Sequence, residues 1–292
     1  MQGTGLSSMT PARPLPERRS GAAHALQALG AIVWRELYKF SRQYGRLASA
    51  LVRPLLWLAV FAAGFRNVFG LAINEPYDTY IAPGLVGMVL LFNGMQSSLA
   101  MVYDREMGVM RLLLTAPLPR AWVLFCKLVA TAVLSLLQAA AFVAVAAALG
   151  TVLPVFAHGP QVLLACTAAA LMLGALGLLL SVHIRQLENF AGTMNFVIFP
   201  MYFISTALYP LWKLEESGAA WVWRLAQFNP FTHAVEWIRF ALYGKDAGLS
   251  PWVVVGTLVL CFALATWGYD PQRSFGQLTK RPGAPAGGPG GR

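Results

Sequence analysis

Residues 103–113 read YDREMGVMRLL, a compact polar knot between two long apolar stretches. Asp104, Arg105, Glu106 and Arg111 place four charges within nine residues. Val109, Leu112 and Leu113 add a short apolar patch beyond Gly108. Such a set offers ion pairing and docking. An apolar patch in so small a loop has no internal partner and suits burial in the groove of another protein. Pro117 and Pro119 then stop the helix before the next apolar run.

The other residues that could do chemistry are dispersed. His24, His158, His183 and His233 stand apart, with neither an HExxH nor a neighbouring acid pair. No GxSxG occurs, and no GxxxxGK[ST], so the chain carries no phosphate-binding loop of its own. Cys126, Cys166 and Cys261 lie in apolar runs without CxxC spacing. They read as small buried residues rather than zinc ligands or a disulfide framework. No catalytic or metal site is expected. The 12 acids all fall at the ends of apolar runs or in loops. A transporter driven by protons or sodium needs an ionisable group in mid-membrane. Uphill work by this chain would therefore draw its energy from elsewhere.

The elements that must position the knot follow from composition. Hydrophobic residues make up 57% of the 292 residues and charged residues 12%, about half the ~25% of a soluble domain. That much apolar surface exceeds what one soluble core can hide, and a membrane protein is the natural reading. The net charge of +10 sits at the ends of the apolar runs, where it orients a membrane protein. No nucleic-acid-binding signature accompanies it.

Residues 1–22 and 271–292 are rich in Pro, Gly and Arg and read as disordered tails. Between them, 23–270 form one transmembrane domain. Within 29–47, Leu29, Val33, Leu37, Phe40, Tyr44 and Leu47 recur at spacings of four and three, and Arg35, Lys39, Arg42 and Arg46 follow two residues later. Two residues is ~200° of a helix, so the basic stripe lies opposite the apolar one. This is a basic amphipathic helix suited to the headgroup layer of an anionic leaflet.

Six apolar segments follow, near 51–72, 79–102, 121–149, 161–184, 190–210 and 251–269. Each approaches the ~20 residues that cross a bilayer core as a helix. Arg53 and Arg66 bracket the first and are expected to snorkel toward opposite headgroup layers. With the N-terminus inside, 17 of the 22 Lys and Arg fall on the inner side, which places both termini and the knot in the cytoplasm. Residues 211–250 then lie outside. Their apolar runs, broken by Arg224, Asn229-Pro230, Glu236 and Arg239, read as short re-entrant or interfacial helices, with Glu236 and Arg239 paired on one face. Uncharged mid-span groups such as Asn93, Ser135 and Gln138 are expected to bond between helices, and Ala170, Gly174, Gly177 and Ser181 to let helices pack closely.

The order of these elements resembles a known family. Arg105-Glu106-Met107-Gly108-Val109-Met110 is similar to its "RE-x-G-x-(M/L)" stretch, Thr115-Ala116-Pro117-Leu118 to its "TPL" turn, and Asn229-Pro230-Phe231-Thr232 followed by Glu236 to its "NPL/F-T" element. Together they resemble the type-2 permeases of ATP-binding-cassette exporters, over roughly residues 25–270. Arg111 stands where that family often has Glu, and Ala116 intrudes into the threonine–proline turn.

The resemblance implies a permease in a bacterial plasma membrane, paired with a second copy or a sister permease. It implies cytoplasmic ABC ATPase subunits that bind the ATP, no cofactor on this chain, and a coupling role for the knot. It also implies that spans two and five line the dimer centre. Phe196, Phe199 and Phe203 share one face of span five, beside Pro200. They are the expected wall of a path for an amphiphilic drug, lipid or lipid-linked saccharide. The competing readings are a membrane-embedded transferase and a scaffold subunit that transports nothing.

Overall fold

The apolar runs fold as helices because backbone N–H and C=O groups in lipid must find partners within their own segment. A computed structural model describes residues 21–43, 45, 48–60, 77–107, 119–150, 157–184, 186–211, 215 and 220–269. Among these residues there is no strand. Nine helices are used below: α1 Gly21–Ser41, α2 Ala48–Val60, α3 Tyr77–Glu106, α4 Arg120–Ala148, α5 Gly159–His183, α6 Leu187–Phe203, α7 Ala220–Phe228, α8 Pro230–Leu242 and α9 Ser250–Gly268. The two tails, the outer part of the first apolar segment and knot residues Gly108, Val109, Arg111, Leu112 and Leu113 lie outside the described residues.

Four of these helices are long and apolar enough to cross a membrane: α3, α4, α5 and α9. Of the other two expected spans, the 13 described residues of α2 account for ~20 Å, the rest of that segment lying outside the described residues, and the 17 residues of α6 reach ~26 Å, against a ~30 Å hydrocarbon core. Helix α6 runs through Pro200 and ends at Phe203. The chain then continues as fully buried, non-helical Ser205, Thr206 and Ala207. Non-helical backbone at such a place needs partners, and α8 supplies them. The Asn229 amide donates to the Met201 carbonyl at 2.7 Å and the Ile204 carbonyl at 2.6 Å, while its Oδ1 caps α8 by accepting from Phe231 N.

Helix α5 is the centre of the bundle and packs against α3, α4, α8 and α9. Lipid tails are as apolar as Leu, so close backbone approach, rather than hydrophobic exclusion, holds such helices together. A Cβ on Gly177 would meet Ser98 Oγ at 2.3 Å and the Gly94 carbonyl at 3.0 Å, so α3 and α5 touch here because neither residue has a larger side chain. Gly84 meets Ala207 in the same way, with the carbonyl 2.3 Å from where a Cβ would stand. A buried polar ladder joins α3 to α4. Asn93 donates to Ser135 Oγ at 2.6 Å and Gln138 donates to Asn93 Oδ1 at 3.0 Å, as the uncharged mid-span groups led us to expect. Helix α9 is apolar on all sides and largely uncovered, as a lipid-facing helix should be.

Two sequence expectations are corrected. The helix expected over 29–47 begins earlier and covers Gly21–Ser41, and Tyr44 and Leu47 lie outside the described residues. Its inner face rests on α4, with Ile32 buried and Trp122 Nε1 donating to the Ala25 carbonyl at 3.1 Å. Arg53 does not run out along the chain toward a headgroup layer. Its guanidinium lies 4.0 Å over the Phe92 ring, near the midpoint of α3. An aromatic face can hold a cation there where lipid alone could not.

Candidate functional site

The last turn of α3 presents Asp104, Arg105 and Glu106 in succession. Consecutive residues on a helix project ~100° apart, so three neighbours in sequence reach three different partners. Asp104 turns toward α1 and α4. Its Oδ2 is 3.0 Å from Lys127 Nζ and 3.4 Å from Arg35 Nη2, and its Oδ1 is 3.6 Å from Lys39 Nζ. Glu36 completes the cluster, 2.8 Å from Arg35 and 4.0 Å from Lys127. Asp104 is 5% exposed and Lys127 7%. Charges so buried persist only when each has a partner. Three cations share two carboxylates, so the cluster keeps a net positive charge. Such a cluster joins elements.

Arg105 turns toward α5. Its Nη1 donates to the Ser181 carbonyl at 3.0 Å, in the last turn of that helix. Glu106 turns toward α6. Its Oε1 accepts from Leu187 N at 2.9 Å, the first residue of that helix. Both contacts follow the helix dipole: a cation at a carbonyl end and an anion at an amide end. The three residues thus tie α3 to α1, α4, α5 and α6 at one end of the bundle. Gly108, Val109, Arg111, Leu112 and Leu113, expected in the same functional unit, continue from this hub beyond the described residues.

Lys127, Glu36, Arg35 and Lys39 belong to the hub although sequence reasoning assigned them elsewhere. Lys127 reads from sequence as one more inner-side cation, and the other three as parts of a helix facing headgroups. The available signals were Glu36, the one acid on a basic helix, and Lys127, a lysine placed nearly two turns inside an apolar run.

At the opposite end, Glu236 and Arg239 pair as their spacing predicts. Arg239 does more than pair. Its Nη2 donates to the Thr206 carbonyl at 2.7 Å and its guanidinium lies 4.1 Å over the Tyr80 ring. With Asn229, it anchors the non-helical end of α6 to α3 and α8.

Phe196, Phe199 and Phe203 share one face of α6, as expected. They are 79%, 48% and 38% exposed. Phe199 and Phe203 stack at 6.2 Å, and Trp57 of α2 meets Phe203 edge-on at 5.9 Å. Among the described residues no group of three or more His, Cys, Asp or Glu could hold a metal ion.

Four apolar helices long enough to cross a bilayer, tied at both ends by ion pairs, define the fold of a multi-pass integral membrane protein. The chain belongs to the ABC-2 type transporter family, whose model matches residues 27–243. It is 29% identical over 237 residues to a protein of Porphyra purpurea that carries the provisional name transport permease ycf38, with 78% of each chain covered. The protein of the same provisional name in Cyanophora paradoxa is 31% identical over 235 residues, covering 77% of each. That of Pyropia yezoensis is 28% identical over 227 residues, covering 75% of each.

Proposed function

We propose that this chain is the permease subunit of an ATP-binding-cassette exporter in a bacterial plasma membrane. It spans the membrane six times with both termini in the cytoplasm, pairs with a second copy, and is driven by separate cytoplasmic ATPase subunits that bind the ATP. The observation that carries this reading is the hub. Residues 107–119 leave α3 directly after Asp104, Arg105 and Glu106 and re-enter the bundle at α4. A push on that short segment reaches α4, α5 and α6 through bonds of 2.9–3.0 Å, and α1 through Arg35 and Lys39. On this reading the knot converts motion of a docked ATPase into tilting of the spans. Family membership supports the ATPase partner.

The cargo is a partly apolar amphiphile such as a drug, a lipid or a lipid-linked saccharide. The support is the uncovered ring face of Phe196, Phe199 and Phe203, which a second copy would turn into one wall of a shared path. Rings without fixed charge tolerate varied shapes.

Leu113→Asp tests the reading. The variant should insert normally and lose co-purification of the ATPase, because a charge in the apolar patch cannot be buried in the partner's groove. If the ATPase binds it with unchanged affinity, the knot is only a connector between spans.

A further inference from the structure

Arg53 is the one cation of α2, and its setting differs from that of the paired charges at the two ends of the bundle. It is half-buried, and its guanidinium lies 4.0 Å over the Phe92 ring. Phe92 stands 14 residues before Glu106 on α3, or ~21 Å along the axis. The guanidinium is thus deep in the membrane and far from the buried cluster at Asp104. No ion pair or hydrogen bond engages it among the described residues. A charge held at such depth without a counterion marks a place where a ligand or a partner supplies one.

The surroundings suit an anion. Arg53 lines a groove between α2, α3 and α4 together with Phe92, Asn93, Gln96 and Gln138. Asn93 and Gln138 are bonded to each other. Gln96 lies one helical turn from Phe92 and has no hydrogen-bond partner among the described residues, so its amide is a free donor. A guanidinium and an amide in one groove recognise the paired oxygens of a phosphate or carboxylate. One turn further along α2, Trp57 touches Tyr202 and Phe203 of the exposed ring face. The groove therefore opens beside an apolar surface that could hold a chain.

We propose that Arg53 and Gln96 form a binding site for the anionic headgroup of an amphiphile whose apolar part lies along Trp57 and Phe203. This rests on the exporter reading above and narrows its cargo to acidic amphiphiles. A neutral or cationic amphiphile would leave the buried guanidinium uncompensated.

The test is equilibrium binding of radiolabelled hexadecyl phosphate to the purified full chain in neutral detergent, without ATPase. Hexadecylphosphocholine, hexadecylamine and inorganic phosphate serve as competitors. Saturable binding is expected, with displacement by unlabelled hexadecyl phosphate and far weaker displacement by the zwitterionic and cationic chains. Arg53→Gln should weaken it tenfold or more, and Arg53→Lys less, because a point charge keeps attraction but loses the fork. Gln96→Leu should weaken it a few-fold. Binding by Arg53→Gln within twofold of the parent, in a protein with the parent's unfolding midpoint, would overturn the proposal. If Arg53→Gln does not fold, parent-like binding by both Arg53→Lys and Gln96→Leu overturns it instead. Displacement by inorganic phosphate as readily as by hexadecyl phosphate would show a free-anion site and refute the amphiphile. Since no ATPase is present, failure of the ATPase to co-purify would count against the exporter reading and leave this result standing.

Discussion

Asp104→Asn is the sharpest perturbation of the hub. It leaves the Lys127 ammonium 7% exposed, with Glu36 at 4.0 Å as its remaining carboxylate and Arg35 as a like charge nearby. Removing one partner of a buried pair costs ~3–5 kcal/mol, chiefly because the other charge stays buried without its counterion. Glu36 offsets part of this, so ~3 kcal/mol is the expected loss. Lys39 is 3.6 Å from the same carboxylate, yet its side chain is 43% exposed. Lys39→Met should therefore cost under ~1 kcal/mol. Asp104→Asn combined with Lys127→Met removes both buried charges and should recover most of the single-variant loss, giving a coupling of ~2 kcal/mol or more. Reversible unfolding by SDS titration in mixed micelles reads the parent, the singles Asp104→Asn, Lys127→Met and Lys39→Met, and the double variant on one scale. If Asp104→Asn loses no more than Lys39→Met, or if the double variant loses the sum of its two singles, the cluster is a solvated set of charges and does not join α1, α3 and α4.

Gly177→Val should destabilise the fold by ~1–3 kcal/mol or displace α3 from α5, because a Cβ there already stands 2.3 Å from Ser98 Oγ. The same unfolding titration checks it, and Gly192→Ala, with nothing within 4 Å of the added carbon, is the control that should change little. Single cysteines at Ser41, Gly108 and Gln277 in a cysteine-free background should label with an impermeant maleimide only from the cytoplasm, and one at Ser217 only from outside. Outside labelling at position 108 would refute the six-span orientation. Phe196→Ala, Phe199→Ala and Phe203→Ala should each lower substrate-stimulated ATP turnover and transport while basal turnover stays near the parent's. Parent-like transport of every tested amphiphile by all three would show that the rings face lipid.

Apolar runs, charge bias and the absence of catalytic spacings are local properties, and sequence alone determined what depends on them. It determined an all-helical membrane protein, the positions of α3, α4, α5 and α9 to within a few residues, the pairing of Glu236 with Arg239, the shared face of Phe196, Phe199 and Phe203, and Asp104-Arg105-Glu106 as a compact polar unit. Helix ends were less legible. The start of α1 falls at the edge of the Pro-, Gly- and Arg-rich stretch read as a tail, and α6 stops where the Asn229 amide donates to its freed carbonyls. Only the tertiary structure decided where the charges go. Asp104 and Lys127 are 23 residues apart in sequence, and Asp104 and Arg35 are 69 apart. They meet because α3 and α4 run antiparallel and α1 packs across α4. Arg53 lies over Phe92 instead of reaching a headgroup layer for the same reason. Periodicity gives the face of a helix on which a side chain stands, but the neighbouring helix that meets that face is fixed by packing of the whole bundle.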